Sequence, residues 1–258
     1  MYPELYTPVF LFCLGAIIGS FLNVCIVRIP QRMSIVFPAS HCPSCTHKIP
    51  VYDNIPLLSY LILGGRCRFC KTPIALTYFL VELITPILFL VLWHHFGLSS
   101  DFLISATVTA ALIVITVIDL QHQIIPDVIS LPGIPICFLC SFVVSWTTPL
   151  QSLLGILCGG GVLFLFAWGY QRATGKDGMG GGDIKLLAMI GALLGWKGAL
   201  TSLILASCIG SIIGIILIIA KGKNMKYAIP FGPFLATGAV CALMYGEQLI
   251  SFYLNLGA

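Results

Sequence analysis

The chain has 258 residues, of which 59% are hydrophobic and only 9% are charged, and its mean hydropathy is +1.04. Soluble globular domains carry about 25% charged residues, so this composition excludes the soluble class and indicates a membrane protein. The net charge of +4 predicts no nucleic-acid partner, because the basic residues are dispersed among loops rather than gathered in one patch.

Apolar runs recur along the chain, and a membrane-spanning helix needs about 20 mostly apolar residues. The pattern therefore predicts an all-helical membrane fold with the lipid bilayer as its surroundings. Because no basic segment precedes the first run and Arg28 and Arg32 follow it, we expect a retained span rather than a cleaved signal. The sixth run is short for a full crossing. We predict eight transmembrane helices, at residues 7–27, 77–95, 102–119, 128–146, 150–170, 183–195, 199–220 and 229–255.

The distribution of basic residues predicts the orientation of these spans. Eleven of the thirteen Lys and Arg residues fall in three segments, residues 28–76, 171–182 and 221–227. An eight-span arrangement puts all three segments on one side of the membrane. Since cytoplasmic loops carry the excess of Lys and Arg, we expect these segments in the cytoplasm and both termini outside it.

One long segment breaks the apolar pattern. Residues 28–76 are polar, contain four cysteines and are too short to build a large core of their own. We therefore predict three regions: a first transmembrane helix at 1–27, a small cytoplasmic tetracysteine domain at 28–76, and a helical membrane domain at 77–258. Glycines spaced four residues apart within the spans suit close helix packing.

The four cysteines of this segment form two CxxC pairs with 21 residues between them: Cys42, Cys45, Cys67 and Cys70. Two such pairs complete a tetrahedral site for zinc, and a closed four-cysteine site is structural because it leaves no open position for chemistry. A reducing cytoplasm also disfavours disulfides. Unligated thiols, redox pairs, or ligation by the flanking His41 or His47 are the alternatives.

A third CxxC pair, Cys137 and Cys140, lies within the apolar fourth span. Cysteines in such surroundings act as small hydrophobic residues, so we assign them no chemistry.

Two acidic residues fall at the same predicted membrane boundary. Asp119 ends an uncharged run, residues 103–118, and Asp183 begins the sixth span. An ionised carboxylate within a membrane is expensive, so such residues usually face the interior of a helix bundle. Two carboxylates brought close together share one proton, which is the working state of an aspartyl protease. Asp119 and Asp183 are therefore the predicted catalytic pair.

The segment Gly178-Met-Gly-Gly-Gly182 precedes Asp183. Glycines weaken helix and let the backbone approach a substrate closely, so Gly180 and Gly182 are predicted to lie in the active-site loop. An N-capped helix after a flexible turn is the alternative. Lys185 either anchors at the interface or pairs with a carboxylate.

Two other acids have alternative interpretations. Asp127 is a rival partner for the pair, although its position after Pro126 suits an N-cap. Glu82 lies within the second span, where it can snorkel, pair with a basic group or serve a function.

Taken in order, the motifs resemble one family closely: the bacterial type IV prepilin peptidases, which are bifunctional leader peptidase/N-methyltransferases. The resemblance covers most of the chain and rests on the two CxxC pairs and on four segments: Gly19-Ser-Phe-Leu-Asn-Val-Cys-Ile-Val-Arg-Ile-Pro30, Asp53-Asn-Ile-Pro-Leu-Leu-Ser-Tyr60, Ile118-Asp-Leu-Gln-His-Gln-Ile-Ile-Pro-Asp127 and Gly178-Met-Gly-Gly-Gly-Asp-Ile-Lys-Leu186.

The resemblance implies that Asp119 and Asp183 cleave the leader of type IV prepilins or secretion pseudopilins after a glycine, at the cytoplasmic face of the bacterial inner membrane. It further implies methylation of the new N-terminal amine with S-adenosylmethionine as methyl donor. Candidate residues for the methyl-donor site are Asp53, Asn54, Gly65, Arg66 and Glu82.

Two other functional classes are weighed against this one. A transporter using Asp119 and Asp183 as ion ligands should show inverted repeats and acids near mid-membrane, and the sequence shows neither. A membrane-tethered zinc-ribbon module would leave the paired carboxylates unexplained.

Overall fold

The computed structural model describes residues 3–175, 180–221 and 229–256. This part of the chain is all-helical apart from two isolated β-bridges. A short 3₁₀ helix, Val51–Asp53, lies in the polar segment. The eight α-helices are α1 Pro3–Arg28, α2 Leu58–Ile62, α3 Leu76–Phe96, α4 Ser100–His122, α5 Asp127–Cys140, α6 Pro149–Thr174, α7 Gly181–Lys221 and α8 Gly232–Leu256.

Six helices in the described ranges are long and apolar enough to cross a membrane: α1, α3, α4, α6, α7 and α8. α5 is also apolar but has only 14 residues. Each of the eight predicted spans overlaps one of these helices, because α7 contains both the sixth and the seventh. The basic residues Lys176, Lys223 and Lys226, on which part of the predicted orientation rests, lie outside the described residues.

The break within α7 occurs at Gly195, whose φ of 73° and ψ of 179° are not helical. A positive φ of this size is readily accessible only to glycine. In lipid, carbonyls released by a helix break need new partners. The Ser152 hydroxyl donates to the Ala192 carbonyl at 2.5 Å, and the Trp146 indole N–H donates to the Leu193 carbonyl at 3.0 Å. The carbonyls of Ala192 and Leu193, just before the break, therefore accept hydrogen bonds from side chains of the preceding segment.

The predicted fourth span, 128–146, is too long at its C-terminal end. α5 ends at Cys140, and the next residues form tight turns in which Phe142 N–H donates to the Leu139 carbonyl. Asp101, at the start of α4, then accepts hydrogen bonds from the backbone and side chain of Ser145. This anchor holds an apolar stretch in a turn, where hydropathy alone predicts helix.

The chain forms two compact units. The first comprises Met1–Leu98 and Ala106–Val114, and the second comprises Ser99–Ser105 and Ile115–Ala258. The polar segment thus shares the first unit with α1 and α3. The predicted division at residues 28 and 77 follows membrane and polar regions instead, and it stays a prediction.

Glycines set the helix contacts within the first unit. A Cβ on Gly15 would lie 2.6 Å from the Pro86 Cα, and one on Gly19 would lie 2.9 Å from the Glu82 Cα. The backbones of α1 and α3 therefore touch along a four-residue glycine spacing, as helices do in membranes.

The second unit uses the same device between α6 and α7. A Cβ on Gly155 would overlap the Gly191 carbonyl, and a Cβ on Gly191 would overlap the Gly155 carbonyl. One turn along, a Cβ on Gly159 would lie 2.6 Å from the Leu187 carbonyl oxygen. α6 and α7 are therefore in direct backbone contact along the helix that begins with Asp183.

Gly155→Ala is expected to lower the thermal unfolding midpoint of the detergent-solubilised protein by several degrees. The added methyl group meets backbone that cannot rotate away, and overpacking of this kind typically costs about 1–3 kcal/mol. Gly161→Ala is the matched control, because that glycine lies on the same helix with nothing within 4 Å of an added Cβ. Equal midpoints for the two variants would contradict the proposed contact.

Candidate active site and metal centre

Asp119 lies in the last turn of α4 and is only 5% exposed. α4 ends three residues later, where Gln123 adopts a left-handed conformation and donates its N–H to the Asp119 carbonyl at 2.9 Å. The carboxylate itself accepts the Gly232 backbone N–H through Oδ2 at 3.0 Å. Asp119 is therefore a buried acid with one of its oxygens held by backbone.

Asp183 lies in the first turn of α7 and is partly buried. Its backbone N–H donates to the Gly180 carbonyl at 3.2 Å, which closes the turn that begins the helix. A carboxylate in the first turn of a helix interacts favourably with the unpaired N–H groups there. Of the predicted glycine loop, Gly178 lies outside the described residues.

The structure brings Asp119 and Asp183 together. They lie close enough for the charge of Asp119 to act on Asp183. Ile125, in the turn after α4, contacts the starts of both α7 and α8. A Cβ on Gly182 would lie 2.8 Å from its Cβ, and a Cβ on Gly232 would lie 3.4 Å from its Cδ1. The end of α4 and the starts of α7 and α8 thus converge on one point.

Two neighbouring carboxylates of this kind have a defined chemistry. Simultaneous ionisation of both is unfavourable, so a pair of this kind can share one proton. One can then accept a proton from water while the other donates a proton to a carbonyl oxygen. The arrangement suits acid–base catalysis of hydrolysis.

Asp127, the rival candidate, has a different partner. It forms an ion pair with Lys185, with 2.7 Å between Oδ1 and Nζ, and its side chain is 58% exposed. It does not cap α5 either, because Pro126 occupies the N-cap position and no side-chain cap bond forms. Lys185, predicted to anchor at the interface or pair with a carboxylate, does the latter.

The tetracysteine segment consists of two similar turns. In the first, Cys42 N–H donates to the His47 carbonyl and Thr46 N–H to the Cys42 carbonyl. In the second, Cys67 N–H donates to the Thr72 carbonyl and Lys71 N–H to the Cys67 carbonyl. Each CxxC is followed by a residue with positive φ, 58° at Thr46 and 59° at Lys71.

The two turns place four sulfur atoms together. All four lie within 4.8 Å of one another, and Cys42 Sγ lies 3.8 Å from Cys70 Sγ. Tetrahedral ligation with a Zn–S length of about 2.3 Å requires sulfurs about 3.8 Å apart. The Thr72 hydroxyl, 3.2 Å from Cys70 Sγ, helps to lower the pKa of Cys70 to about 6, which favours the thiolate. The cluster fits a metal ion such as zinc.

The flanking histidines have other partners. His47 stacks on Phe69 with ring centroids 3.8 Å apart, and His41 Nδ1 lies 3.1 Å from the Ala39 carbonyl. The donor set within the described residues is therefore four sulfurs.

The candidate methyl-donor residues lie in the same compact unit as the cluster. Asp53 accepts two hydrogen bonds from the Arg68 guanidinium, with 2.7 Å to Nε, and this pairing lowers the pKa of Asp53. Asn54 ends the 3₁₀ helix, and its N–H donates to the Val51 carbonyl. Asp53 is thus oriented by a residue that sits beside Cys67.

Glu82 connects α3 to the polar segment. Its carboxylate accepts the Leu57 N–H at 2.8 Å, and Leu57 has a φ of 62° at the start of α2. The Glu82 side chain therefore has a specific backbone partner in the polar segment.

Gly65 and Arg66 lie in the turn that leads into Cys67. Gly65 has a φ of 66°, and a Cβ there would lie 3.0 Å from the Tyr60 ring. Arg66 forms a β-bridge with Pro73. Both residues are therefore held by the fold around the second CxxC pair.

Two contributions were missed by sequence reasoning, those of Gly232 and Arg68. Gly232 lies in Pro230-Phe-Gly-Pro233, where prolines on both sides of a Phe-Gly pair were a signal for a constrained turn. Arg68 lies between two metal-ligand candidates, and its partner is 15 residues away.

The fold and site define a class: a multi-pass membrane protein that pairs two carboxylates at its helix ends and carries a four-cysteine cluster. Comparison with known proteins agrees. Residues 13–96 match the bacterial peptidase A24 N-terminal domain, and residues 106–215 match the type IV leader peptidase family.

Several relatives match over nearly their full length. A prepilin leader peptidase/N-methyltransferase of Pseudomonas putida is 34% identical over 94% of this chain and 92% of its own. One of Aeromonas salmonicida is 37% identical over 98% of this chain and 95% of its own. No solved structure matches significantly. The chain belongs to the type IV leader peptidase family.

Cys67→Ser is expected to remove the bound metal from the purified protein, because the substitution leaves only three of the four sulfur ligands. Elemental analysis of the membrane-extracted protein measures the metal-to-protein ratio. Cys208→Ser is the control, since Cys208 is an exposed cysteine on α7 and outside the cluster. Metal retained by Cys67→Ser, or lost by Cys208→Ser, would contradict the assignment.

Proposed function

We propose that this protein is an intramembrane aspartyl endopeptidase that removes the leader peptide of type IV prepilins or pseudopilins, and that it then methylates the new N-terminus. The observation that carries the proposal is the convergence of Asp119 and Asp183 within one compact unit. The names of the relatives supply the substrate class and the second activity.

In the proposed cleavage, one carboxylate of the pair takes a proton from a water molecule while the oxygen of that water attacks the scissile carbonyl carbon. The other carboxylic acid gives its proton to the carbonyl oxygen, which forms a tetrahedral intermediate. Collapse of that intermediate breaks the C–N bond: the proton taken from water goes to the leaving amine nitrogen, and one hydroxyl proton of the intermediate returns to the second carboxylate, which leaves a carboxylic acid product. Gly180 leaves room for an extended substrate strand beside Asp183, because an added Cβ there would meet only Asp183 Oδ2, at 3.6 Å, whereas Gly182 packs against Ile125. The substrate must be extended, since helical peptide bonds are shielded by their own hydrogen bonds.

In the proposed second activity, the new N-terminal amine nitrogen bonds to the methyl carbon of S-adenosylmethionine as the S–C bond breaks, with loss of one proton from nitrogen. Asp53, Asn54, Gly65, Arg66 and Glu82 are our candidates for the donor site. The Arg68 ion pair and the Glu82 contact order this region, which supports the choice.

The proposed metal is a structural zinc ion held by Cys42, Cys45, Cys67 and Cys70. Four thiolates fill its tetrahedral shell, so its part is to keep the tetracysteine segment folded. The proposed setting is the bacterial inner membrane, with both termini in the periplasm and the active site near the cytoplasmic face. Pilin assembly or type II secretion would supply the substrates.

Asp119→Asn and Asp183→Asn are each expected to reduce the rate of cleavage of a purified prepilin by about 10⁴-fold or more. The reason is that removing one member of a catalytic unit costs about as much as removing the whole unit. Gel shift or mass spectrometry of the substrate measures the cleaved fraction.

Asp127→Asn is the matched control for these two variants. It makes the same chemical change eight residues from Asp119, and it breaks an exposed ion pair worth only about 1 kcal/mol or less. We expect cleavage within a few-fold of wild type. An inactive Asp127→Asn beside an active Asp119→Asn would require reassignment of the pair.

The two activities are expected to separate in Cys67→Ser. Loss of the metal unfolds the tetracysteine segment, whereas the carboxylate pair belongs to the other compact unit. The variant should lose methyl transfer and keep measurable cleavage, as shown by the masses of leader, mature and methylated products. Methylation at the wild-type rate would refute the role given to this segment.

A further inference from the structure

The start of α8 contributes a backbone donor that the proposed reaction has not yet used. Gly232 N–H lies 3.0 Å from Asp119 Oδ2, and both residues are buried. The first N–H groups of any helix have no partner within that helix, so each of them needs another acceptor.

The donors of this turn can be counted. Pro233 has no N–H, and the N–H groups of Phe234 and Leu235 both donate to the Phe231 carbonyl at 3.1 Å. Gly232 therefore supplies the one donor of this first turn that points away from its own helix, and Asp119 receives it.

Position 232 also requires the absence of a side chain. A Cβ there would lie 2.6 Å from Asp119 Oδ2, which is closer than real Cβ atoms come, and 3.3 Å from its Cγ. The φ of Gly232 is not in the left-handed region, so backbone conformation does not call for glycine. The need is for space, and the group that fills the space is the carboxylate of Asp119.

We infer that Gly232 is a positioning residue for the peptidase reaction: its N–H holds Oδ2 of Asp119 and leaves Oδ1 to face Asp183 and the attacking water. The inference rests on the proposed function, because it takes Asp119 as a member of the catalytic pair. A backbone donor is well suited to this task, since it cannot rotate away between turnovers. Small misplacements of a catalytic group can lower rates by about 100-fold.

The first test is Gly232→Ala in the full-length protein with a purified prepilin. The new methyl group should displace the Asp119 carboxylate, which is the end of a movable side chain, rather than the helix. We expect kcat for cleavage to fall at least tenfold while KM and the thermal unfolding midpoint change little. Methylation of an already processed pilin should continue.

Two glycines of the same helix serve as controls. Gly246 has nothing within 4 Å of an added Cβ, so Gly246→Ala should match wild type in both rate and stability. A Cβ on Gly238 would lie 2.5 Å from the Ser202 carbonyl oxygen, so Gly238→Ala should lower the unfolding midpoint. A purely structural role for Gly232 predicts that its variant behaves like Gly238→Ala.

A second test needs no change at position 232. The sequence contains two Phe-Gly pairs, Phe96-Gly97 and Phe231-Gly232, so ¹³C-Phe/¹⁵N-Gly labelling gives two filtered amide signals. Gly97 N–H donates to the Trp93 carbonyl and is an internal reference. Asp119→Asn should shift the Gly232 signal and leave the Gly97 signal in place.

The outcomes separate the two claims. If Asp119→Asn cleaves normally, the proposed function fails and the inference fails with it. If Asp119→Asn is inactive but Gly232→Ala keeps the wild-type kcat, the inference alone is overturned. An unmoved Gly232 signal in Asp119→Asn also overturns it, even if Gly232→Ala fails to fold.

Discussion

A buried carboxylate in a membrane protein needs hydrogen-bond donors, because neither lipid nor packed side chains can replace the water it has left. Asp119 is such a group, and three helix ends meet around it. α4 carries it, α8 supplies the Gly232 N–H, and α7 brings Asp183 close enough to interact. Helix ends suit this purpose because their backbone N–H or C=O groups have no partner within the helix, whereas the groups in the middle of a helix are already paired.

Beyond Asp183, α7 makes close glycine contacts with its neighbours. α6 and α7 touch backbone to backbone at Gly155 and Gly191, and the break at Gly195 is stabilised by Trp146 and Ser152. Membrane helices have no hydrophobic force between them in lipid, so close van der Waals contact is what holds the pair. The geometry of the candidate site is therefore maintained by packing one to three turns away along α7.

The first compact unit contains a polar segment that is held together by polar and sulfur contacts rather than by close helix packing. Its polar segment is small, and the sulfur cluster with the Asp53–Arg68 ion pair replaces the core that it lacks. Glu82 attaches this segment to α3 through the Leu57 N–H. One compact unit thus carries the converging carboxylates, and the other carries a four-sulfur cluster that fits a metal ion.

Most residues of the candidate site could be predicted from the sequence, because they are of types that are rare in an apolar chain. Carboxylates at a membrane boundary and paired CxxC motifs stand out in an apolar sequence, so Asp119, Asp183 and the four cysteines could be found without a structure. Gly232 could not, since glycine is common in membrane helices and its contribution is a backbone N–H. The Asp127–Lys185 pair joins residues 58 positions apart, and the early end of α5 depends on Asp101, so neither has a local signal.

The central claim is that Asp119 and Asp183 act as one unit, and a double variant tests it most directly. The measurement is kcat/KM for prepilin cleavage by Asp119→Asn/Asp183→Asn beside each single variant. If the two carboxylates share one proton and one reaction, the second substitution adds nothing, and all three variants have the same residual rate. A double variant whose loss equals the product of the two single losses would show independent contributions and contradict the account.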